Sequence, residues 1–314
     1  MESIKLSFNA VMPIFILMAL GYFIKKIKLA DKKSLDTMNK VIFKIFLPLL
    51  LFYNIYSTKT AGIFDVKLIV FTIVSVLAIF VLGYFAVMLL TKENPKRGVM
   101  LQGFFRSNYA ILGIPLVGYI CGDKTTGLAS LMVAIVIPVF NTLAVIALER
   151  FREGNSSLNI LKLLKGIITN PLIIGSLVGA LFFVTGINLP PLIEKSVKDI
   201  SSIATPLSII ILGSVFEFSD IKGYFKENLI VVSARLIIVP LIVLPVAVWL
   251  SITGEALACL LVTFASPVAV SSFAMAQQMD GDERLAVQVI ALSSAFCLIT
   301  LFLWIFALSY LGLF

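Results

Sequence analysis

This sequence predicts an all-α polytopic membrane protein: ten transmembrane helices in two inverted five-helix repeats. Three observations lead there. Of the 314 residues, 60% are hydrophobic and only 13% are charged, far from the balance of soluble globular chains. Apolar stretches of roughly 20 residues follow one another through the chain, each long enough to cross a ~30 Å hydrocarbon layer as a helix, the element that satisfies its own backbone in lipid. The punctuation of the chain also repeats. Pro13, Gly21 and Pro48 recur 158 positions later as Pro171, Gly179 and Pro206, and Gly122-Asp123 recurs 159 positions later as Gly281-Asp282. A duplicated unit with an odd number of spans must sit upside down relative to its twin. Inverted repeats of that kind mark secondary transporters, whose site lies near the bilayer midplane where the repeats meet. The repeats are residues 1–157 and 158–314.

Ten segments can be justified in order. Segment 1, residues 6–24, has few charges before it and no small-residue cleavage site, and Lys25, Lys26 and Lys28 follow it. It reads as a retained helix rather than a signal peptide. Segment 2, residues 38–56, carries Lys44 and Pro48; segment 3, residues 66–90, is plainly apolar. Segment 4, residues 98–120, gathers Arg106, Ser107 and Asn108 at mid-depth and continues through Gly113 and Pro115. Segment 5, residues 126–148, contains Asn141 and Thr142. Segments 6 and 7, residues 167–186 and 198–217, repeat the punctuation of segments 1 and 2. Segment 8, residues 228–250, carries Arg235. Segment 9, residues 256–279, contains Ser266-Pro267, Ser271, Ser272, Gln277 and Gln278. Segment 10, residues 285–311, holds Gln288, Ser293 and Ser294. The polar connections are too short for a soluble domain.

Charge sets the orientation. The odd-to-even loops hold 16 lysines and arginines, led by Lys25, Lys26, Lys28, Lys32, Lys33 and Lys40 after segment 1. The other side holds 6: Lys5, Lys59, Lys67, Lys124, Lys195 and Lys198. The basic side is the cytoplasmic one, so Met1 and Phe314 both face outward across the cytoplasmic membrane. Basic loops against an anionic leaflet explain the net charge of +8, and no nucleic-acid partner is needed.

Segments 4 and 9 depart from plain lipid-facing helix. Proline removes a backbone donor and crowds the preceding turn. At mid-membrane, the freed groups must meet something polar. With the 159-residue offset, Ser107-Asn108 falls on Ser266-Pro267, so both repeats break at the same place. The amino ends of half-helices suit an anion. The alternative is a simple proline kink with serines bonded back to the helix. Arg106 lies mid-segment, whereas Lys44 and Arg235 lie about two turns from the cytoplasmic end, where snorkelling is the competing account. Three intramembrane cations without a deep carboxylate favour an anionic substrate. The chain contains no histidine, which removes the commonest metal ligand, the usual proton shuttle and a histidine-dependent triad, so an enzyme is disfavoured. Cys121, Cys259 and Cys297 form no metal spacing. Serines in such helices usually bond their own backbone, but the amides of Asn141 and Gln277 need several partners.

Asn108-Tyr-Ala-Ile-Leu-Gly113-Ile-Pro115-Leu116 resembles the N-x-x-x-x-G-I-P-L stretch of the auxin efflux carrier family. Phe46-Leu47-Pro48 through Asn54 is similar to that family's second helix, and Ala265-Ser266-Pro267 through Ala276 with Gly281-Asp282 resembles its ninth. The last stretch also resembles the more distant bile acid:sodium symporters. The resemblance spans the chain. It implies a scaffold of helices 1, 2, 6 and 7 and a moving transport domain of helices 3–5 and 8–10. In that domain helices 4 and 9 cross as broken helices, with Gly113, Pro115 and Pro267 at the crossover. Asn108 would meet a substrate carboxylate there, beside Ser107, Tyr109, Arg106, Asn141, Ser266, Pro267, Ser271 and Gln277. One departure is Ser107, where plant members have proline; Ser-Asn at this place is closer to the sodium symporters and leaves the coupling ion open.

These readings converge on a carrier for a small carboxylate such as malate, malonate or an auxin-like acid, working by alternating access. A channel would need a filter motif, which the sequence lacks. A membrane sensor would need a soluble output part. No cofactor is expected, and coupling to protons or sodium is open. The expected partners are the substrate, the lipid bilayer and, through the scaffold helices, a second copy of the chain.

Overall fold

The computed structural model describes residues 2–58, 65–122, 126–152 and 160–314, without the side chains of 2–11, 110, 126 and 160–163. Met1, Lys59, Asp123, Lys124, the side chains of Lys5 and Lys162, and the boundary at 157/158 lie outside the described residues.

Segment 1 is α1 (Glu2–Lys26). Segment 2 is α2 (Lys32–Val41), a π-helical turn (Ile42–Phe46) and α3 (Leu47–Tyr56) in one continuous rod. α4 (Val66–Leu90) follows. Segment 4 divides into α5 (Asn94–Phe105) and α6 (Tyr109–Cys121). Segment 5 is α7 (Thr126–Arg150). α8 (Ile160–Ile168) lies almost wholly before segment 6, which is α9 (Pro171–Thr185). α9 starts where Pro171 takes the first helical position and the Asn170 side chain accepts from Leu172 N at 2.9 Å. α10 (Pro191–Val215) is segment 7. A short α11 (Asp220–Gly223) leads to segment 8, made of α12 (Phe225–Ser233), a π-helical turn (Ala234–Ile238) and α13 (Val239–Trp249). Segment 9 divides into α14 (Gly254–Ala265) and α15 (Ser271–Gln278), and α16 (Glu283–Tyr310) closes the chain.

Six helices among the described residues are long and apolar enough to cross a membrane, and three shorter apolar helices accompany them. The count falls short of ten partly because segments 4 and 9 are interrupted and α9 has only 15 residues. The π turns precede Pro48 and Pro240. A proline ring crowds the carbonyl four residues back, and a widened turn moves that carbonyl aside. At Pro240 the freed carbonyl is that of Leu236, which accepts from Trp304 Nε1 at 3.0 Å.

Glycine decides two of the closest helix crossings. α1 meets α10 where Gly21 lies against the carbonyl of Ile210 and Gly213 against that of Met18. α9 meets α3 where Gly175 lies against the carbonyl of Pro48, and a Cβ on Gly179 would stand 2.8 Å from Phe52 O. Backbones approach this closely in lipid because small residues permit dispersion contact that side chains would block. Ile210 lies 158 positions after Phe52, the offset that also separates Gly179 from Gly21. The repeated glycine therefore makes the same contact twice.

Burial is concentrated in α5, α14, α15 and the first half of α16, where long runs of side chains are enclosed. α4, α9 and α13 instead expose large apolar residues such as Leu82, Leu89, Val184 and Trp249. An apolar surface of that extent belongs in lipid. Ion pairs among the described residues join the odd-to-even connections to one another: Lys25 with Glu217, Lys96 with Glu227, Arg152 with Asp280, and Arg284 with Asp220. The loops that the lysine and arginine count groups together thus lie at one end of the bundle.

Candidate functional site

α5 stops because Arg106 turns to extended backbone (φ −87°, ψ 115°), and α14 stops because Ser266 does the same (φ −72°, ψ 157°). The two unwound stretches meet. Ser107 and Val268 form an isolated antiparallel bridge, and Asn108 N donates to Pro267 O at 2.9 Å. Asn108 and Pro267 are the residues that the 159-position offset pairs in sequence. Val268 N donates to Ser293 Oγ of α16 at 3.2 Å, so these two N–H groups of the unwound stretches find protein partners. α6 and α15 then begin on the far side of the bridge, with their free N–H groups at the crossing.

Beside this crossing lies a small cavity of about 50 Å³. Arg106, Ser107, Asn108 and Ile111 form one wall, Ile137, Phe140 and Asn141 of α7 another, and Ala269, Val270 and Ser271 a third. α3 and α10 complete it with Leu47, Leu50, Leu51, Asn54, Thr205 and Ser208. Arg106 is the one charged residue among these lining residues, and it is 3% exposed. Its Nη2 donates to Asn141 Oδ1 at 2.6 Å and Ser271 Oγ at 2.8 Å, and its Nη1 to Gln102 Oε1 at 3.1 Å and to Met275 Sδ. The guanidinium is held by neutral acceptors, and no acid among the described residues pairs with it. Several donors around it lack partners: Asn108 Nδ2, Asn141 Nδ2 and Ser107 Oγ are buried without a hydrogen bond. Buried donors left unpaired cost ~1–3 kcal/mol each, and the group they suit is an acceptor.

The structure thus brings Arg106, Ser107, Asn108, Asn141 and Ser271 together around one space, with Ser266 and Pro267 in the bridge behind it. Two other expected site residues stand elsewhere. Tyr109 is fully buried, and its hydroxyl donates to Ala129 O at 3.4 Å, away from the cavity lining. Its ring lies over Gly113, where a Cβ would meet Tyr109 Cε1 at 2.6 Å. Gln277 bonds Asn39 of α2, and its Nε2 donates to Asp36 Oδ1 at 3.1 Å and Glu283 Oε2 at 2.7 Å. Those contacts place it among the polar connections, apart from the cavity. The break itself lies at 106–108, upstream of Gly113 and Pro115, and α6 runs through both as continuous helix. Of the other membrane cations, Arg235 is fully buried and does not snorkel, whereas Lys44 is exposed.

Sequence reading missed Asn54, Thr205 and Ser208. Asn54 is a lone amide in the apolar α3, whereas Thr205 and Ser208 lie among several other serines and charged residues of α10, so neither signal stands out. Among the described residues, no group of three or more histidine, cysteine, aspartate or glutamate side chains is placed to hold a metal.

A family model described as membrane transport protein matches residues 6–305. An uncharacterized transporter of Methanothermobacter thermautotrophicus is 24% identical over 300 residues, covering 95% of this chain and 97% of that protein.

Proposed function

Because the chain belongs to the membrane transport protein family, that of the auxin efflux carriers, we propose that this transporter moves a small organic anion across the cytoplasmic membrane by alternating access of the elevator type. The observation that carries the substrate class is the cavity: one guanidinium held by neutral acceptors, unpaired amide donors of Asn108 and Asn141, two helix starts and no acidic side chain in the lining. A carboxylate is an acceptor at both oxygens and matches that set. A cavity of about 50 Å³ has room for roughly three to five waters, on a scale of ~10–15 Å³ for each. It suits a carboxylate head, and short acids such as malonate or malate fit better than an indole acid.

The cavity lies between α3 and α10 on one side and the crossing helices on the other. This supports a scaffold of segments 1, 2, 6 and 7, and a transport body of segments 3–5 and 8–10. The equivalent crossings of Gly21 on Ile210 and Gly179 on Phe52 support two inverted five-helix repeats, residues 1–157 and 158–314, with ten spans. In this reading both termini face outward and a second copy docks through the scaffold.

The test is counterflow. Purified protein in liposomes preloaded with unlabelled malonate should accumulate labelled malonate transiently, and Arg106→Gln should not. If no carboxylate in a panel of short mono- and diacids gives counterflow in protein that remains folded, the substrate class is wrong. A flux without counterflow would indicate a channel.

A further inference from the structure

Arg235 is fully buried, and every hydrogen-bond partner found for it is a backbone carbonyl. Nε donates to Ser266 O at 2.9 Å, Nη1 to Phe105 O at 3.0 Å and Phe104 O at 3.4 Å, and Nη2 to Thr263 O at 2.5 Å. Phe104 and Phe105 end α5; Thr263 and Ser266 end α14. Carbonyls in the last turn of a helix have no N–H ahead of them, and here the chain unwinds before one can arrive. A helix carboxyl end carries roughly −0.5 elementary charge, so two such ends present about one negative charge to a single guanidinium. The planar fork, with five N–H donors, reaches both ends at once.

We infer that Arg235 is the positioning residue of the crossing: a fixed cation that binds the carboxyl ends of both broken helices and so sets where α6 and α15 begin. The inference rests on the crossing being the transport site, but it concerns how the crossing is built rather than what it carries. The element that delivers Arg235 is the π turn Ala234–Ile238, fixed on α16 by the bond from Trp304 to Leu236 O. The division of labour is electrostatic. The negative ends of the broken helices are neutralised by Arg235 on one side, which leaves their positive starts and Arg106 to face the cavity on the other.

Without the guanidinium, four carbonyls from two helix ends would face one another with no donor between them. Arg235→Ala should lower the melting temperature of the purified protein by on the order of 10 °C. Guanidinium ion at low millimolar concentration should restore part of that loss and leave the wild type unchanged; urea or choline should do neither. Arg235→Met keeps bulk without charge and should behave like Arg235→Ala. Arg235→Lys should retain more stability and more malonate counterflow than Arg235→Met. If Arg235→Ala cannot be purified, the Lys and Met variants decide. Equal behaviour of those two, a Met variant as stable as wild type, or no recovery of Arg235→Ala by guanidinium overturns the proposal. The melting readout needs no substrate, so it reports on the crossing even if malonate is not carried.

Discussion

Asn108 stands where two chain breaks touch, with its backbone committed to Pro267 and its side-chain Nδ2 free of partners. Replacing it with alanine leaves the backbone bond in place and removes only the amide. Asn108→Ala should therefore stay folded and bind substrate about 10- to 150-fold more weakly, the loss of one charge-assisted hydrogen bond of roughly 1.5–3 kcal/mol. A carboxylate titration followed by thermal shift measures this, and equal affinity in the folded variant removes Asn108 from the site. Arg106 carries charge and also orients Asn141 and Ser271. Uptake at matched expression should fall in the order wild type, Arg106→Lys, Arg106→Gln, because lysine supplies the charge without the fork. Glutamine equal to arginine would make the charge irrelevant. These residues were legible in the sequence because polar side chains cluster at the middle of an apolar segment. Asn54, Thr205 and Ser208 were not, since only the packing of α3 and α10 against the crossing singles them out from the other polar residues of the chain. Gln277 misled for a physical reason: its amide needs partners, but Asp36 and Glu283 from other elements provide them.

Helix crossings carry a different kind of constraint. Gly21 and Gly179 each lie on a carbonyl of the partner helix, and neither contact leaves space for a side chain. Gly179→Leu must push α9 from α3, at a cost of at least about 1–3 kcal/mol as overpacking. Gly223, with nothing within 4 Å of an added Cβ, is the control. Thermal melting should separate Gly179→Leu from Gly223→Ala clearly; superimposable curves would show that the crossing is looser than described. The sequence contained this contact in two forms, the 158-residue repeat of glycine and the four-residue spacing of Gly175 and Gly179. Only the first was readable as more than composition, because small residues four apart give no partner. Breaks in segments 4 and 9 were readable from Ser-Asn and Ser-Pro. The start of α9 at Pro171 was readable to within a few residues; the separate helix α8 ahead of it was not, because Lys162 and Lys165 make that stretch read as a basic connection. The partners of Arg235 were beyond any sequence signal: they are main-chain carbonyls from two other segments.

At the scale of the whole molecule, charge at one end and apolar surface around the middle define how the bundle sits in a bilayer. The ion pairs of Lys25, Lys96, Arg152 and Arg284 gather at the end holding the basic loops. A cysteine at Ser34, exposed beside the α2 cap, should resist a membrane-impermeant thiol reagent in intact cells and react after permeabilisation. Labelling in intact cells would invert the orientation. The bridge between Ser107 and Val268 bears on how the protein is made. Its two strands lie more than half the chain apart, so during synthesis the first broken helix enters the membrane long before its partner exists. Until then its open peptide groups and Asn108 have no mate in hydrocarbon, and the nascent first repeat must borrow water or insertion machinery to shelter them. A chain truncated ahead of segment 9 should therefore be degraded faster in cells than the full chain, which a pulse-chase of the two would measure.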